Sequence, residues 1–221
     1  MTDGRGALPI RRWGVHGSRR AHGGLADLPR RVRPRARFEG LEGHSLAGLK
    51  PHEIARRGLV RSFQVSKLFG NMNLRENLLL PALAQSSGAE FAAAQERATR
   101  FLELTRLAPL ADAPAKTLSG GQRALLQVAA GFMAPGLKCY LLDEPFAGIN
   151  PTIKDAIIEL IEQENRRGIT FIIVSHEMAI VRRLCRRVTV LVEGRVAAEG
   201  TLDEVAARGD VLAAYLGRGW T

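Results

Sequence analysis

The sequence predicts an α/β fold with a mainly parallel sheet and an inserted helical subdomain. Three observations carry that expectation. Cys139 to Leu142 and Ile169 to Val174 are short, largely apolar runs bounded by polar turns. Strands buried on both faces of a parallel sheet read this way. Segments of helical period alternate with these runs, as strand–helix–strand units require. Residues 73–117 instead carry helical spacing rich in Ala, Leu and Glu, with no strand between the helices. A chain of 221 residues, 46% hydrophobic and 24% charged, suffices for one such domain.

Taken in order, the chain opens on an irregular basic segment. Residues 1–37 hold ten Arg, no Lys, and only Asp3 and Asp27 as acids. Most of the net charge of +10 therefore sits there, and the rest of the chain is nearly neutral. A basic face spread over a domain is absent, so no nucleic-acid partner is expected. Gly, Pro and Arg are scattered through this segment with neither a helical nor a strand period. Two readings stand for the segment itself: a basic arm for anionic lipid or nucleic acid, or a stretch with no evolved structure, such as a mis-set start or a shifted reading frame.

From Phe38 the pattern becomes regular. Pro51 to Arg57 reads as a short helix with proline in its first turn and Gly58 as its stop. Leu59 to Phe63 reads as a strand ending at Gln64. Leu74 to Ala84 and Phe91 to Leu107 are helices separated by Gln85-Ser86-Ser87-Gly88, and Asp112 to Thr117 is a linker. Ser119 to Met133 is a helix, followed by the Cys139 strand. Ile153 to Arg166 is a helix stopped by Gly168, followed by the Ile169 strand. Glu177 to Arg186 is helical, and Val188–Val192 with Val196–Ala198 forms a hairpin around Glu193-Gly194. Thr201 and Glu204 have the spacing of a capping box opening the last helix. No apolar run approaches the ~18 residues that spanning a bilayer requires, and no secretory apolar core follows the N-terminus. Cys139 and Cys185 lie far apart, which excludes a CxxC site and predicts buried thiols.

Four groups of residues carry chemistry. In Tyr140-Leu141-Leu142-Asp143-Glu144-Pro145, an apolar strand delivers two carboxylates to its C-terminal end, where open α/β sheets bind ligands. Asp143 can hold Mg²⁺ through water, and Glu144 can orient or deprotonate an attacking water. A lone Asp-Glu pair would be two solvated acids; its neighbours give it meaning. Leu118-Ser119-Gly120-Gly121-Gln122 opens a helix with little Cβ crowding, so its amides suit phosphate. Ser175-His176 follows the next apolar strand, where a histidine can contact a γ-phosphate and the attacking water. Gln64 ends an earlier strand and can join a metal's water shell.

These elements, in this order, resemble the nucleotide-binding subunit of ABC transporters over residues 38–217. LSGGQ matches the signature motif, YLLDEP the Walker B strand with its catalytic Glu, FAGINP the D-loop, IVSHE the switch histidine, and RSFQ the Q-loop. More narrowly, GLVRSFQ, NLRENLLLPA and EPFAGINP look like the branched-chain amino acid uptake ATPases. The resemblance implies a P-loop NTPase-like fold (an ABC nucleotide-binding domain) with residues 73–117 as the helical subdomain. It implies Glu144 and His176 as catalytic residues and Gln64, Ser119, Gly120, Gly121, Gln122 and Asp143 as ATP-binding residues, with Asp143 and Gln64 at Mg²⁺. It further implies transmembrane permease subunits, a second ATP-binding subunit and, indirectly, a periplasmic solute-binding protein. The place would be peripheral, on the cytoplasmic face of the inner membrane.

One part of the family pattern has no match. The P-loop, GxxxxGK[ST], cradles phosphates with backbone amides and neutralises them with its Lys. Counting back from Gln64 to its place lands near Gly14 to Arg20, which read GVHGSRR. No Lys precedes Lys50, and no Gly-Lys pair occurs anywhere. Gly43 to Lys50 places its Lys one position late, and Pro51 follows. The fold is therefore expected to be N-terminally incomplete. Strands beside the missing P-loop strand should lose a partner on one side, and the chain alone should bind ATP weakly and not turn it over.

Overall fold

The computed structural model describes residues 13–17, 40–62, 68–83, 88–192 and 195–208. Its elements run β1 (Trp13–Gly17), β2 (Gly40–Leu41), β3 (His44–Ser45), α1 (Pro51–Arg56), β4 (Leu59–Arg61), α2 (Leu74–Leu83) and α3 (Gly88–Leu104). They continue with α4 (Gly120–Gly131), β5 (Cys139–Asp143), α5 (Pro151–Arg166), β6 (Thr170–Val174), α6 (Met178–Leu184), β7 (Arg187–Val192), β8 (Arg195–Gly200) and α7 (Leu202–Ala206). Six strands join in the order β4-β5-β6-β1-β7-β8. Every neighbouring pair is parallel except the β7–β8 hairpin. This is the mainly parallel sheet that the sequence predicts. β5 and β6 occupy its interior because their side chains are apolar on both faces: Tyr140, Leu142, Phe171, Ile172 and Ile173 are all buried.

The N-terminal segment departs from expectation at one place. Trp13–Gly17, read as irregular, is a strand in the middle of the sheet. Trp13 pairs with Ile172 on β6 and with Arg187 on β7, and Val15 pairs with Val174 and Thr189. The loss of a central strand is therefore corrected: β6 and β7 each have a partner on this side. The physical reason is long-range. Two strands with open ladders satisfy the amides and carbonyls of a segment whose own strand propensity is weak. Residues 1–12 and 18–39 lie outside the described residues.

Local chemistry sets the helix ends. Ser119 caps α4, its hydroxyl accepting from the Gln122 amide at 3.3 Å while the Gln122 side chain accepts from the Ser119 amide at 2.9 Å. Asn150 caps α5 by accepting from the Ile153 amide at 3.0 Å, with Pro151 in the first turn. The expected capping box of Thr201 and Glu204 is present. Backbone and hydroxyl bonds from Thr201 hold the Glu204 carboxyl below the usual carboxylate range. A depressed folded-state pKa stabilises fully above the unfolded value and is lost as pH falls through the lowered one. Acid should therefore weaken this cap.

The helical layer shares one core with the sheet. α2 packs on α3 and α4, and Leu74, Leu78, Phe101 and Leu102 belong to the same buried cluster as the β5 and β6 side chains. Phe132, just past α4, joins the layers. Its ring lies 5.7 Å from Phe101 of α3, 5.2 Å from Tyr140 and 5.8 Å from Phe171. Arg100 of α3 adds an ion pair of 2.8 Å to the buried Glu164 of α5. Cys139 and Cys185 are buried thiols, and burial pushes the Cys139 pKa up to about 11, so it stays protonated at neutral pH.

The fit of α4 on β5 is tight. A Cβ added at Gly131 would lie 2.0 Å from the Tyr140 hydroxyl. Gly131→Ala is expected to lower the unfolding free energy by ~2 kcal/mol in a urea titration, through overpacking.

Candidate functional site

Parallel pairing builds the site. β5 and β6 run in register, with Asp143 opposite Val174, so the chain leaves both strands at one level. Glu144 and Ser175-His176 emerge side by side at that edge. Glu144 takes a left-handed backbone conformation, φ 49°, and its amide donates to the Val174 carbonyl at 2.8 Å. Non-glycine residues held in this region carry a conformational cost that the surroundings must offset. Here the turn sends the half-buried Glu144 carboxylate to His176, whose Nδ1 lies 2.9 and 2.8 Å from its two oxygens. The two residues assigned to catalysis from the sequence thus touch each other, although they are far apart in the chain.

The supports around this pair are polar and specific. Ser175 is buried, and its hydroxyl accepts from the Glu177 amide at 3.1 Å. Glu177 in turn pairs with Lys154 of α5 at 2.5 Å, tying the histidine turn to that helix. Asp143 is buried at the end of β5, and its amide donates to the Ser62 hydroxyl at 3.0 Å. Its carboxylate pairs with Arg61 at 2.8 Å.

Ser119, Gly120, Gly121 and Gln122 stand apart from this edge. Among the described residues, no hydrogen bond joins the two groups. Ser119 and Gln122 satisfy each other through the cap, while the first-turn amides at Gly120 and Gly121 have no intrahelical acceptor. A Cβ at Gly121 would come within 3.3 Å of Ile153, so that glycine packs against α5. A Cβ at Gly120 would meet nothing within 4 Å. Packing therefore does not require Gly120 to be glycine; its bareness leaves room for a ligand to approach. Gly120→Ala is expected to leave urea stability within ~0.5 kcal/mol. Gln64 falls among residues 63–67, outside the described residues.

Sequence reasoning missed two residues beside the site. Arg61 is one; its signal was only a cation just before Gln64. Asn77 is the other, buried in α2. Its side chain accepts from the Phe69 amide at 2.8 Å and donates to the carbonyls of Phe69, Met72 and Asn73. A lone Asn on an apolar helix face was the available clue. It pins the loop between the Gln64 segment and α2, leaving Phe69 60% exposed. Phe69 lines a groove of about 430 Å³ together with His52, Arg56, Leu80, Pro81 and Gln127.

The donor chemistry can be matched to the expected cofactors. A carboxylate at a strand end suits Mg²⁺, a hard cation that takes one or two carboxylates and otherwise water and phosphate oxygens. Asp143 fits in kind, with the oxygen facing Arg61 already paired. Among the described residues, no group of three or more His, Cys, Asp and Glu could form an all-protein metal site. No described helix is long and apolar enough to cross a membrane.

A mainly parallel sheet that brings two acids and a histidine to one edge, with a capped glycine-opened helix apart from it, is the arrangement of a nucleotide-binding domain of the P-loop NTPase fold. Comparison with known proteins agrees. The ABC transporter family model matches residues 35–147. The probable branched-chain amino acid transport ATP-binding protein LivG of Archaeoglobus fulgidus is 34% identical over 186 residues, covering 80% of this chain and 72% of that protein. The high-affinity branched-chain amino acid transport ATP-binding protein BraF of Pseudomonas aeruginosa is 33% identical over 195 residues, covering 80% and 74%. The methionine import ATP-binding protein MetN of Haemophilus influenzae is 33% identical over 170 residues, covering 76% and 48%. The crystal structure of MJ1267, an ATP-binding cassette of an ABC transporter in its ADP conformation, superposes with a TM-score of 0.72 at 26% identity, covering 94% and 88%. The chain belongs to the ABC transporter family, as an ATP-binding domain.

Proposed function

We propose that this chain is the ATP-binding subunit of an importer for branched-chain amino acids, with its own triphosphate grip impaired. The Glu144–His176 contact carries the reading, because it assembles the family's water-handling pair from two separate strands. The solute class is supported by the printed functions of LivG and BraF, which the chain matches over most of their length. ATP, when bound between two subunits, supplies the phosphoryl group whose transfer to water drives transport. Glu144 would orient the attacking water and accept its proton, and His176 keeps that carboxylate in place. Asp143 and Gln64 would hold Mg²⁺ through water. Ser119, Gly120, Gly121 and Gln122 would close a site on a second ATP-binding subunit.

The strand that leads to the site supports impairment. In the family the P-loop strand sits in the middle of the sheet, and here that place belongs to β1. The chain continues from Gly17 as Ser18-Arg19-Arg20, without the Gly-Lys-Ser/Thr that grips phosphate. This observation favours a second reading: a non-catalytic partner that donates only its signature helix to an intact ABC ATPase.

Transmembrane permease subunits are the expected partners, with a periplasmic solute-binding protein acting through them. The chain would sit at the cytoplasmic face of the inner membrane. The groove beside Phe69 offers a seat for a permease segment. It adjoins Ser62, which touches Asp143, so movement there reaches the site. Phe69→Asp is expected to cut solute uptake about tenfold while leaving the melting curve unchanged, since the ring is exposed. The direct test is uptake of radiolabelled leucine by cells holding the permease subunits and a second, intact ATP-binding subunit. Uptake should require this chain; uptake that is the same without it contradicts the proposal.

A further inference from the structure

Asp143 is a nearly buried anion that already has a cation. Its side chain is 11% exposed, and Arg61 reaches its Oδ2 at 2.8 Å from a side chain that is 54% exposed. The contact is set by the sheet. β4 pairs with β5 with Arg61 opposite Leu141, and Ser62 both donates its amide to the Leu141 carbonyl and accepts from the Asp143 amide. The strand ends are thus locked together, and the guanidinium meets the carboxylate from solvent. A buried carboxylate needs a counter-charge, and a divalent metal would answer the same need. Either cation would neutralise the same carboxylate, one of whose oxygens Arg61 already holds.

We propose that Arg61 is a resident counter-cation for Asp143, acting as a positioning residue that opposes metal loading until its guanidinium turns outward. This rests on the reading of Asp143 as the metal-facing acid. The test uses Mn²⁺ alone, without nucleotide, on the full chain, with free Mn²⁺ read by electron paramagnetic resonance. Arg61→Gln should bind Mn²⁺ about fivefold more tightly than the unsubstituted chain, the scale of one lost competing ion pair. Arg61→Lys keeps a charge without the planar fork, and should bind several-fold more tightly, short of the Gln variant. Adding Asp143→Asn to Arg61→Gln should remove the gain. Should Arg61→Gln not fold, the Lys variant decides alone, and no rise in its affinity overturns the proposal. Equal binding by all Arg61 variants, lost on Asp143→Asn, would overturn the counter-cation role and leave Asp143 as the metal-facing acid. No Mn²⁺ retention in any variant would overturn both.

Discussion

Phe132→Ala is expected to lower the unfolding free energy by ~3–5 kcal/mol, the cost of emptying a large aromatic site in a packed core. Typical domains have only ~5–15 kcal/mol in total, so the variant should melt far earlier and with reduced cooperativity. The location explains the size of the effect. Phe132 touches Phe101 from the helical layer and Tyr140 and Phe171 from the sheet. Removing its ring opens a cavity where the two layers meet, and none of the three neighbours can fill it without leaving its own contacts. Differential scanning calorimetry and urea titration measure this directly. Phe132→Leu should recover much of the loss, because it restores volume without the ring geometry.

The large functional effect expected under both readings of the chain is that of Ser119→Arg. Transport should fall about a hundredfold, the scale found when positioned donors to a reacting group are lost. The substitution removes the α4 cap and places a long cation where the first-turn amides are exposed. Loss of the cap alone costs ~1 kcal/mol, too little to explain such a fall through unfolding. Glu144→Gln separates the two readings of the chain. It should abolish transport if this subunit hydrolyses ATP, and should leave transport nearly intact if the chain only donates its signature helix to an intact partner. Uptake assays on membranes carrying the assembled complex compare the two variants under one condition.

How far the sequence reveals this structure depends on the range of the forces involved. β5 and β6 were legible because their residues are apolar on both faces, a property written locally. Ser119 and Thr201 are legible as helix starts because a cap acts over three residues, whereas the helix expected from Ile153 starts two residues earlier, at Pro151, under an Asn150 cap. The end of α6 was less legible: Cys185 turns extended and the chain enters β7 at Arg187, sooner than the helical pattern suggests. α3 likewise begins at Gly88 and ends at Leu104, three residues early at both ends. β1 was not legible. Its pairing comes from β6 and β7, which are distant in the chain, and nothing in Trp13 to Gly17 announces it.

The site divides in the same way. Asp143, Glu144 and His176 stood out because strand ends in an α/β sheet place residues at a predictable edge, and the contact between Glu144 and His176 follows from the in-register pairing of β5 with β6. The Arg61–Asp143 pair depends on the register of β4 against β5, a relation no local pattern encodes. Asn77 carries the same lesson, since its bonds to the Phe69 loop require the helix and loop to be folded together.

Steady-state phosphate release from ATP by the purified chain, measured beside Glu144→Gln under identical conditions, shows whether the chain grips a triphosphate. The acid–histidine edge is assembled, and the proposal of an impaired triphosphate grip is what the rate decides. That proposal predicts a rate for the unsubstituted chain no higher than that of the variant. Sustained turnover that Glu144→Gln abolishes would show that the chain grips and hydrolyses ATP by itself, and would contradict it.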